Sequence, residues 1–405
     1  MNRGTNLTTS LSQSEKANRS SGLTLAHWLP LLGLTCAAFV FNTSEFMPVG
    51  LLTDIGSTFS LSEATTGLMI SIYAWAVMLL SMPLMVFASR FDFKRMMLGV
   101  VTIFALGQFL SALAPTFPLL VASRLVVACA HAVFWSVASI MATRLVDAEH
   151  GPLAISMIAT GSSIAQIAGL PIGRAIGLAI GWRMTFLLVG VVAVAVVVYQ
   201  TIVFPPMAAG EPFSMGDLPT LFKNRFLVAL YVVTIFMATG YYVAYSYIEP
   251  FLQQVGGIAP GLITISLAAF GVAGLIGSWL FGRFFDGHRR GFLACMLGGA
   301  ALALFLIRFT CTSIVGVFVT FILWGICETA FNIAFQAELI DHTELDQSSV
   351  AMSIFSGLFN LGIGTGTAIG GAVVSGIGIA SIGIVGGIVA TMGVALTFAW
   401  MLREL

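Results

Sequence analysis

Charged side chains are too scarce in this chain for a protein whose surface faces water. Asp, Glu, Lys and Arg make up 8% of the 405 residues, whereas 58% are hydrophobic and the mean hydropathy is +1.01. A soluble domain carries about 25% charged residues. Most of the surface must therefore face lipid, and the few charges inside apolar runs become the candidates for function.

Long apolar segments follow one another along the chain, separated by short polar breaks. A helix needs roughly 20 mainly apolar residues to cross a bilayer. Twelve segments meet that requirement, and we predict an all-α membrane protein with twelve transmembrane helices. The predicted spans are 28–52, 66–88, 95–114, 118–143, 153–176, 183–204, 226–250, 260–284, 292–309, 313–336, 348–375 and 379–402.

Basic residues gather on one side of these spans. Most of the 17 Lys and Arg residues precede the first span, follow an even-numbered span or end the chain. Cytoplasmic loops carry such an excess, so both termini are predicted to be cytoplasmic, although the loop from Asp341 to Asp346 is acidic. Residues 1–25 are rich in Ser, Thr and Asn and are predicted to be a disordered tail rather than a signal peptide.

The longest internal break, from Pro205 to Arg225, contains four prolines and divides the spans into two sets of six. We predict a first half at 26–205, a cytoplasmic linker at 206–225 and a second half at 226–405.

The two halves echo each other in sequence. Parallel six-helix repeats are a transporter architecture whose site lies at midplane between the repeats. The matching sets are Gly169, Gly173, Gly177 with Gly362, Gly366, Gly370; Glu45 and Pro48 with Glu249 and Pro250; and His131 and Phe134 with Glu328 and Phe331.

Other classes of protein find little support in the sequence. The net charge is zero, and no basic arm points to nucleic acid. The five cysteines lie in apolar runs without a Cys-x-x-Cys pair, so neither a disulfide framework nor a metal site is predicted. The sequence has no metalloprotease or nucleophile-elbow motif, which makes an intramembrane enzyme remote.

The fourth and first predicted helices carry the most informative polar residues. Arg124, His131 and Trp135 share one face of the fourth helix, which should look into the bundle or a wet cavity. His131 is interpreted as a ligand or proton carrier, and the alternative is a structural histidine. For Arg124 a gating role competes with structural pairing or snorkelling to the interface.

The first helix presents an acid within an apolar span. Glu45 shares a face with Phe41 and Asn42, and burial in lipid favours the neutral form of a carboxyl group. Glu45 is therefore a candidate for proton coupling, and the alternative is a structural carboxylate paired with Arg124. Phe41 and Asn42 are candidates for substrate binding.

The second half offers further polar and aromatic candidates for substrate binding. Hydroxyls, amides and aromatic faces with few charges suit a neutral, polyhydroxylated molecule, although helix packing explains each residue singly. The candidates are Tyr242, Tyr245, Ser246, Glu328, Asn332, Ser356 and Asn360, whereas Tyr247 is interpreted as interfacial and Glu249 as structural.

Two motifs point to gating. The stretch from Gly282 through Asp286 to Arg290 resembles the cytoplasmic motif of the major facilitator superfamily, in which an acid near a helix end meets basic residues. Its first-half copy is degenerate, with Met85 and Ser89 in place of Gly and Asp.

The second motif, GLPIGRAIG at 169–177, resembles the antiporter motif of drug/proton exporters in that superfamily. Gly169 and Gly173 permit close helix contact, and Pro171 is expected to bend the helix. Arg174 is a gating candidate unless it merely snorkels.

Several stretches resemble one group more specifically, the bacterial sugar efflux transporters of the drug/proton antiporter-1 family. They are FNTSEFMPVGLL (41–52), AHAVFWS (130–136), IATGSSIAQIAGLPIGR (158–174), GWRMTF (181–186) and AYSYIEPF (244–251). The resemblance implies the major facilitator fold, a bacterial inner membrane, and export of arabinose or lactose-like galactosides in exchange for protons by alternating access.

Carried onto this sequence, the resemblance implies a central pocket at Asn42, His131, Trp135, Tyr245, Ser356 and Asn360, with Glu45 as the proton site. It implies no cofactor beyond the proton gradient, and partners limited to sugar, protons and lipid. A monomer is the expected state. A multidrug/proton antiporter with amphipathic substrates remains the alternative, and a passive channel is a remote one.

Overall fold

All regular elements in the described part of the chain are helical. The computed structural model describes residues 24–88, 90–147, 150–208, 222–343 and 347–405. Within these ranges twelve helices are long and apolar enough to cross a membrane, so the predicted all-α membrane fold is confirmed. Residues 1–23 of the predicted tail, Ser89 and residues 209–221 of the predicted linker lie outside the described residues.

We number the membrane helices in chain order. They are α1 (Leu25–Gly50), α2 (Glu63–Ala88), α3 (Phe93–Leu113), α4 (Phe117–Arg144), α5 (Gly151–Ile164, Ala165–Gly169 and Leu170–Ile180), α6 (Trp182–Val203), α7 (Arg225–Tyr245 and Ile248–Gln254), α8 (Pro260–Phe284), α9 (Arg289–Thr310), α10 (Ile314–Asp341), α11 (Ser348–Gly376) and α12 (Ile382–Leu396, Thr397–Met401 and Leu402–Glu404).

Most predicted boundaries lie within a few residues of these, but three helices differ in form. A separate short helix, Leu52–Phe59, follows α1 in the region between the first two predicted spans, where no helix was predicted. The α7 helix is interrupted between Tyr245 and Ile248. The α5 helix contains a π-helical turn, Ala165–Gly169, that ends two residues before Pro171, as expected where proline removes a backbone donor.

Local sequence signals explain where several helices begin and turn. The Asp92 carboxylate caps α3 by accepting from the backbone N–H of Arg95 at 2.8 Å, and the Asn224 amide oxygen caps α7. Gly181 joins α5 to α6 with φ +94°, and Gly378 follows α11 with the same φ. This left-handed conformation favours glycine, and the two glycines hold matching places in the two halves.

The repeated glycines mark matching helix contacts. In the first half, Gly169 and Gly177 bring α5 against Thr43 of α1 and Leu51, the residue that follows α1. Neither glycine leaves room for a Cβ beside these side chains, so the helices pack closely there.

In the second half, α11 packs on α7 through the same device. Gly362 lies against Ala238, and Gly366 lies against the carbonyl of Thr239. In each half, the first helix therefore packs against a row of glycines on the fifth helix of the same half.

The end of the bundle where α1 begins and α2 ends is called the basic end. The opposite end, where α1 ends and α2 begins, is called the far end. The two halves meet at the far end and in the middle of the bundle. The main contact between halves runs along α2 and α11, and α8 adds contacts with α5. Hydrogen bonds joining the halves include Gln254 to Glu63 (2.7 Å) and the Trp75 indole to Thr365 (3.4 Å).

The α11 stripe generates a stability prediction with an internal control. A Cβ on Gly366 would lie 2.4 Å from the Thr239 carbonyl oxygen, whereas one on Gly357 of the same helix meets nothing within 4 Å. Gly366→Ala should lower the melting temperature in detergent, with overpacking costing about 1–3 kcal/mol. Gly357→Ala should be neutral or stabilising, because alanine favours helix by about 1 kcal/mol. Equal stabilisation by both substitutions would contradict the close contact.

Candidate functional site

The predicted proton-site residue, Glu45, contacts His131. Glu45 lies on α1, one turn before Pro48, and one of its carboxylate oxygens is 3.7 Å from Nε2 of His131 on α4. The two side chains are 11% and 3% exposed. The structure thus brings together an acid and an imidazole that lie far apart in sequence.

Arg124 is buried but does not form the predicted alternative ion pair with Glu45. Its guanidinium donates to the hydroxyl and the carbonyl of Ser44, at 2.9 and 3.0 Å, and Gln108 also donates to the Ser44 hydroxyl. The guanidinium carbon lies 4.5 Å from the centre of the Tyr73 ring. Hydrogen bonds and the ring face therefore stabilise the buried cation, and Arg124 does not snorkel.

A small pocket next to Glu45 is shared by both halves of the protein. Most of its walls come from α1, α2 and α4, but Tyr242 of α7 and Ile363 of α11 complete it. The lining residues are Glu45, Phe46, Pro48, Val49, Met69, Ile70, Tyr73, Arg124, Tyr242 and Ile363. Glu45 therefore lies where a movement between the halves changes its surroundings.

Aromatic rings surround His131. The Tyr73 and Trp135 ring centres are 5.7 and 6.1 Å away, and Phe41 is at 6.0 Å. Nδ1 of His131 and the indole nitrogen of Trp135 are buried without a hydrogen-bond partner in the described residues. Buried polar atoms are usually satisfied, so these two are available to a ligand.

Two predicted first-half binding residues differ in their surroundings. Phe41 is fully buried and packs between Phe104 and Phe134, at 4.0 and 4.4 Å between ring centres. It is a core residue behind His131 rather than a pocket wall. Asn42 is also buried, nearly one turn from Glu45.

The second-half aromatic candidates form a cluster. Tyr241 and Tyr245 of α7 stack at 4.7 Å, and Trp324 of α10 meets them at 5.2 and 5.9 Å. Tyr242 packs against Tyr241 at 4.6 Å and reaches the Glu45 pocket. Glu328 follows Trp324 by one helical turn and is 9% exposed.

The remaining polar candidates differ in whether their polar atoms have hydrogen-bond partners. The Asn360 amide nitrogen donates to the Ser356 carbonyl at 3.0 Å, while its amide oxygen is buried without a partner in the described residues. Asn332 accepts from Gln336 at 2.6 Å. Ser246 is fully buried and bonds Thr367 of α11 at 2.6 Å, so its hydroxyl fastens α7 to α11.

A buried ion pair joins the halves at the far end. Arg174 of α5 lies 3.3 Å from the Glu249 carboxylate of α7, and both side chains are at most 2% exposed. Glu249 also accepts from the Thr53 hydroxyl at 2.7 Å and from its backbone N–H at 3.3 Å. Arg174 additionally donates to the Gly50 carbonyl. We call Thr53, Arg174 and Glu249 the far-end latch.

The sequence only partly predicted this latch. Arg174 does not snorkel, because its guanidinium points into the protein and bonds Gly50 and Glu249. Glu249 has the structural role that was predicted, but its partner Arg174 lies in the other half of the protein. The partner acid could not be found from the motif, because Arg174 and Glu249 lie in different halves of the sequence.

In the predicted basic-end motif, the ion pairs involve Arg289 rather than Arg290. Arg289 lies 2.8 Å from Asp341 and 3.5 Å from the buried Glu338. Arg290 and Asp286 are both exposed, and neither has an ion pair within 4 Å in the described part of the chain. A Cβ on Gly282 would meet nothing within 4 Å, so this motif makes no close helix contact here.

Tyr73 is the main site residue that sequence reasoning missed. Its ring contacts both Arg124 and His131. Its hydroxyl is buried without a hydrogen-bond partner in the described residues. The available signal was a tyrosine in the middle of an otherwise apolar second span.

Comparison with known proteins identifies the family. A family model described as Major Facilitator Superfamily matches residues 34–286 and 230–405. The chain belongs to the major facilitator superfamily. It is therefore a multi-pass membrane transporter and not an enzyme.

Two solved structures with a similar fold are of a bacterial homolog to the human lysosomal transporter Spinster. The inward-facing, unoccupied form has a TM-score of 0.77 at 18% identity, and the inward-facing, occupied form has 0.76 at 17%. Each alignment covers 95% of this chain and 98% of the other. At this identity the likeness concerns the fold alone.

The far-end latch generates a conformational prediction. Removing one member of a buried pair costs about 3–5 kcal/mol, because Arg174 would remain buried and unpaired. Glu249→Gln should therefore open the far end more often. The measurement uses a cysteine-free background that carries Ser71→Cys, because Ser71 is buried on α2 and faces α11. A thiol reagent should label this cysteine faster in the Glu249→Gln protein than in the parent protein.

The matched control is Asp54→Asn, which removes a nearby acid that forms no ion pair within 4 Å in the described residues. It should leave the labelling rate unchanged. An unchanged rate in Glu249→Gln, with normal folding, would show that the latch does not hold the far end closed.

Proposed function

We propose that this transporter exports neutral sugars, such as arabinose or lactose-like galactosides, in exchange for protons by alternating access. The membrane is a bacterial inner membrane, the basic end faces the cytoplasm, and the proton gradient supplies the energy. The protein works as a monomer without a cofactor. The contact between Glu45 and His131 is the observation that carries this proposal.

Glu45 has the position that a proton carrier needs. Its carboxyl group is nearly buried, its neighbour is a second titratable group, and its pocket includes Tyr242 from the opposite half. Relative motion of the halves can then expose Glu45 to one side or the other. A change in exposure alters the balance between its charged and neutral forms.

The surrounding groups suit a hydroxylated ligand. Nδ1 of His131, the Trp135 indole nitrogen and the Asn360 amide oxygen are buried without partners in the described residues. A sugar hydroxyl can both donate to and accept from such groups. Trp135 also offers a flat apolar face for the C–H face of a pyranose.

The far-end latch supports alternating access. With Arg174 and Glu249 joined, the halves are in contact at the far end. Export then requires this pair to separate so that the substrate can leave there, while groups at the basic end approach.

The second candidate function is multidrug export. The cluster of Tyr241, Tyr245 and Trp324 favours it, because these rings can also pack against the aromatic rings of an amphipathic compound.

The first functional prediction concerns coupling. Glu45→Gln retains the side-chain shape but cannot release a proton. In inverted vesicles, uphill accumulation of labelled galactoside should be abolished, while downhill counterflow persists. Uphill transport at the parental rate would move the coupling site to His131. A panel of cationic dyes in the same vesicles distinguishes the multidrug alternative.

The second functional prediction separates binding from packing. Asn360→Ala removes a free amide oxygen, and losing one neutral hydrogen bond should weaken galactoside binding by about 0.5–1.5 kcal/mol. The matched variant Ser246→Ala breaks the bond to Thr367 and should lower the melting temperature without changing affinity. Calorimetry and thermal unfolding measure the two effects. Unchanged affinity in a folded Asn360→Ala protein would place the sugar elsewhere.

A further inference from the structure

Glu328 is a buried acid without a protein partner. Its side chain on α10 is 9% exposed, and no hydrogen bond or cation within 4 Å satisfies its carboxylate in the described part of the chain. Glu249 and Glu338, the other buried acids, each meet an arginine. An ionised carboxylate in an apolar environment costs several kcal/mol unless a cation or hydrogen-bond donor compensates it.

Aromatic residues lie one helical turn from Glu328. Trp324 precedes Glu328 by one turn on α10, and its ring centre lies 5.2 Å from that of Tyr241 and 5.9 Å from that of Tyr245. The Trp324 indole nitrogen is buried without a partner in the described residues. A carboxylate next to Tyr and Trp rings is the chemistry that binds an ammonium group.

The charge balance of the central region also favours a cationic ligand near Glu328. Between the far-end latch and the basic-end ion pairs, the described helices hold Arg124 as a cation and Glu45 and Glu328 as acids. The arginine is near Glu45, since both line the same pocket. With both acids ionised, one negative charge remains, and it lies on the Glu328 side.

Tyr242 places this second position next to the first. It lines the Glu45 pocket and packs against Tyr241 of the aromatic cluster at 4.6 Å between ring centres. The Glu45 pocket therefore borders the cluster that leads to Glu328.

We propose that Glu328, with Tyr241, Tyr242, Tyr245 and Trp324, forms a subsite for a protonated amino group. The inference rests on the proposed sugar export and narrows its substrate class: amino-substituted sugars bind more tightly than their neutral counterparts. The hydroxyls of such a substrate bond His131 and Asn360, while its ammonium group contacts Glu328. A neutral sugar uses the first set of contacts alone.

The test compares two ligands that differ in one group. Aminoethyl galactoside carries an ammonium group where hydroxyethyl galactoside, of nearly the same size, carries a hydroxyl. Calorimetry on the purified full chain at one neutral pH measures both affinities. The amino ligand should bind at least about tenfold more tightly, as expected when a hydrogen bond gains a charged partner.

Two variants locate the effect. Glu328→Gln should remove the preference for the amino ligand while preserving affinity for the hydroxyl ligand. Asp147→Asn removes an exposed acid at the basic end and should preserve the preference. If Glu328→Gln does not fold, Glu328→Asp serves instead and should reduce the ratio without abolishing it.

The outcomes separate this inference from the proposed function. Equal affinity of the parent protein for both ligands overturns the subsite, even if sugar export is correct. A preference that survives in Glu328→Gln overturns it as well. Failure to bind either galactoside overturns both proposals, whereas a preference lost only in the Glu328 variants supports the subsite.

Discussion

The buried ion pair between Arg174 and Glu249 is the interaction on which this conformation depends. Both groups are removed from water, so their attraction is strong, but either one alone would be costly to bury. Separating the halves at the far end must therefore hydrate two charges together. Such a pair favours two discrete states, one joined and one solvated, over a continuous range of openings.

The overall fold was predictable because it follows from composition and length. Lipid excludes unpaired backbone groups, so long apolar segments must form helices, and repeated glycines showed where those helices touch. The break in α7 after Tyr245 was not predictable. It lies within apolar sequence, where hydropathy does not distinguish a continuous helix from an interrupted one.

The sequence indicated candidate polar residues for the site, but it could not indicate their contacts. Glu45 and His131 were found separately as polar groups in apolar spans, and the structure shows that they meet. Phe41 packs between Phe104 and Phe134, which its place on a helical face did not reveal. The bond between Ser246 and Thr367 was hidden for the same reason, since Thr367 belongs to another helix.

The π-helical turn in α5 has a consequence for the helix register. Gly161 lies against the Thr35 carbonyl of α1, and Gly169, eight positions later, lies against Thr43. The turn at Ala165–Gly169 is π-helical, so it holds one residue more than a turn of α-helix. The extra residue is accommodated within that turn, and the helix continues with glycines facing α1, as Gly177 against Leu51 shows. Deleting one residue at the π-turn would restore a regular helix and keep Arg174 on the line that leads to Glu249, whereas a deletion elsewhere in α5 would rotate everything after it by about 100°.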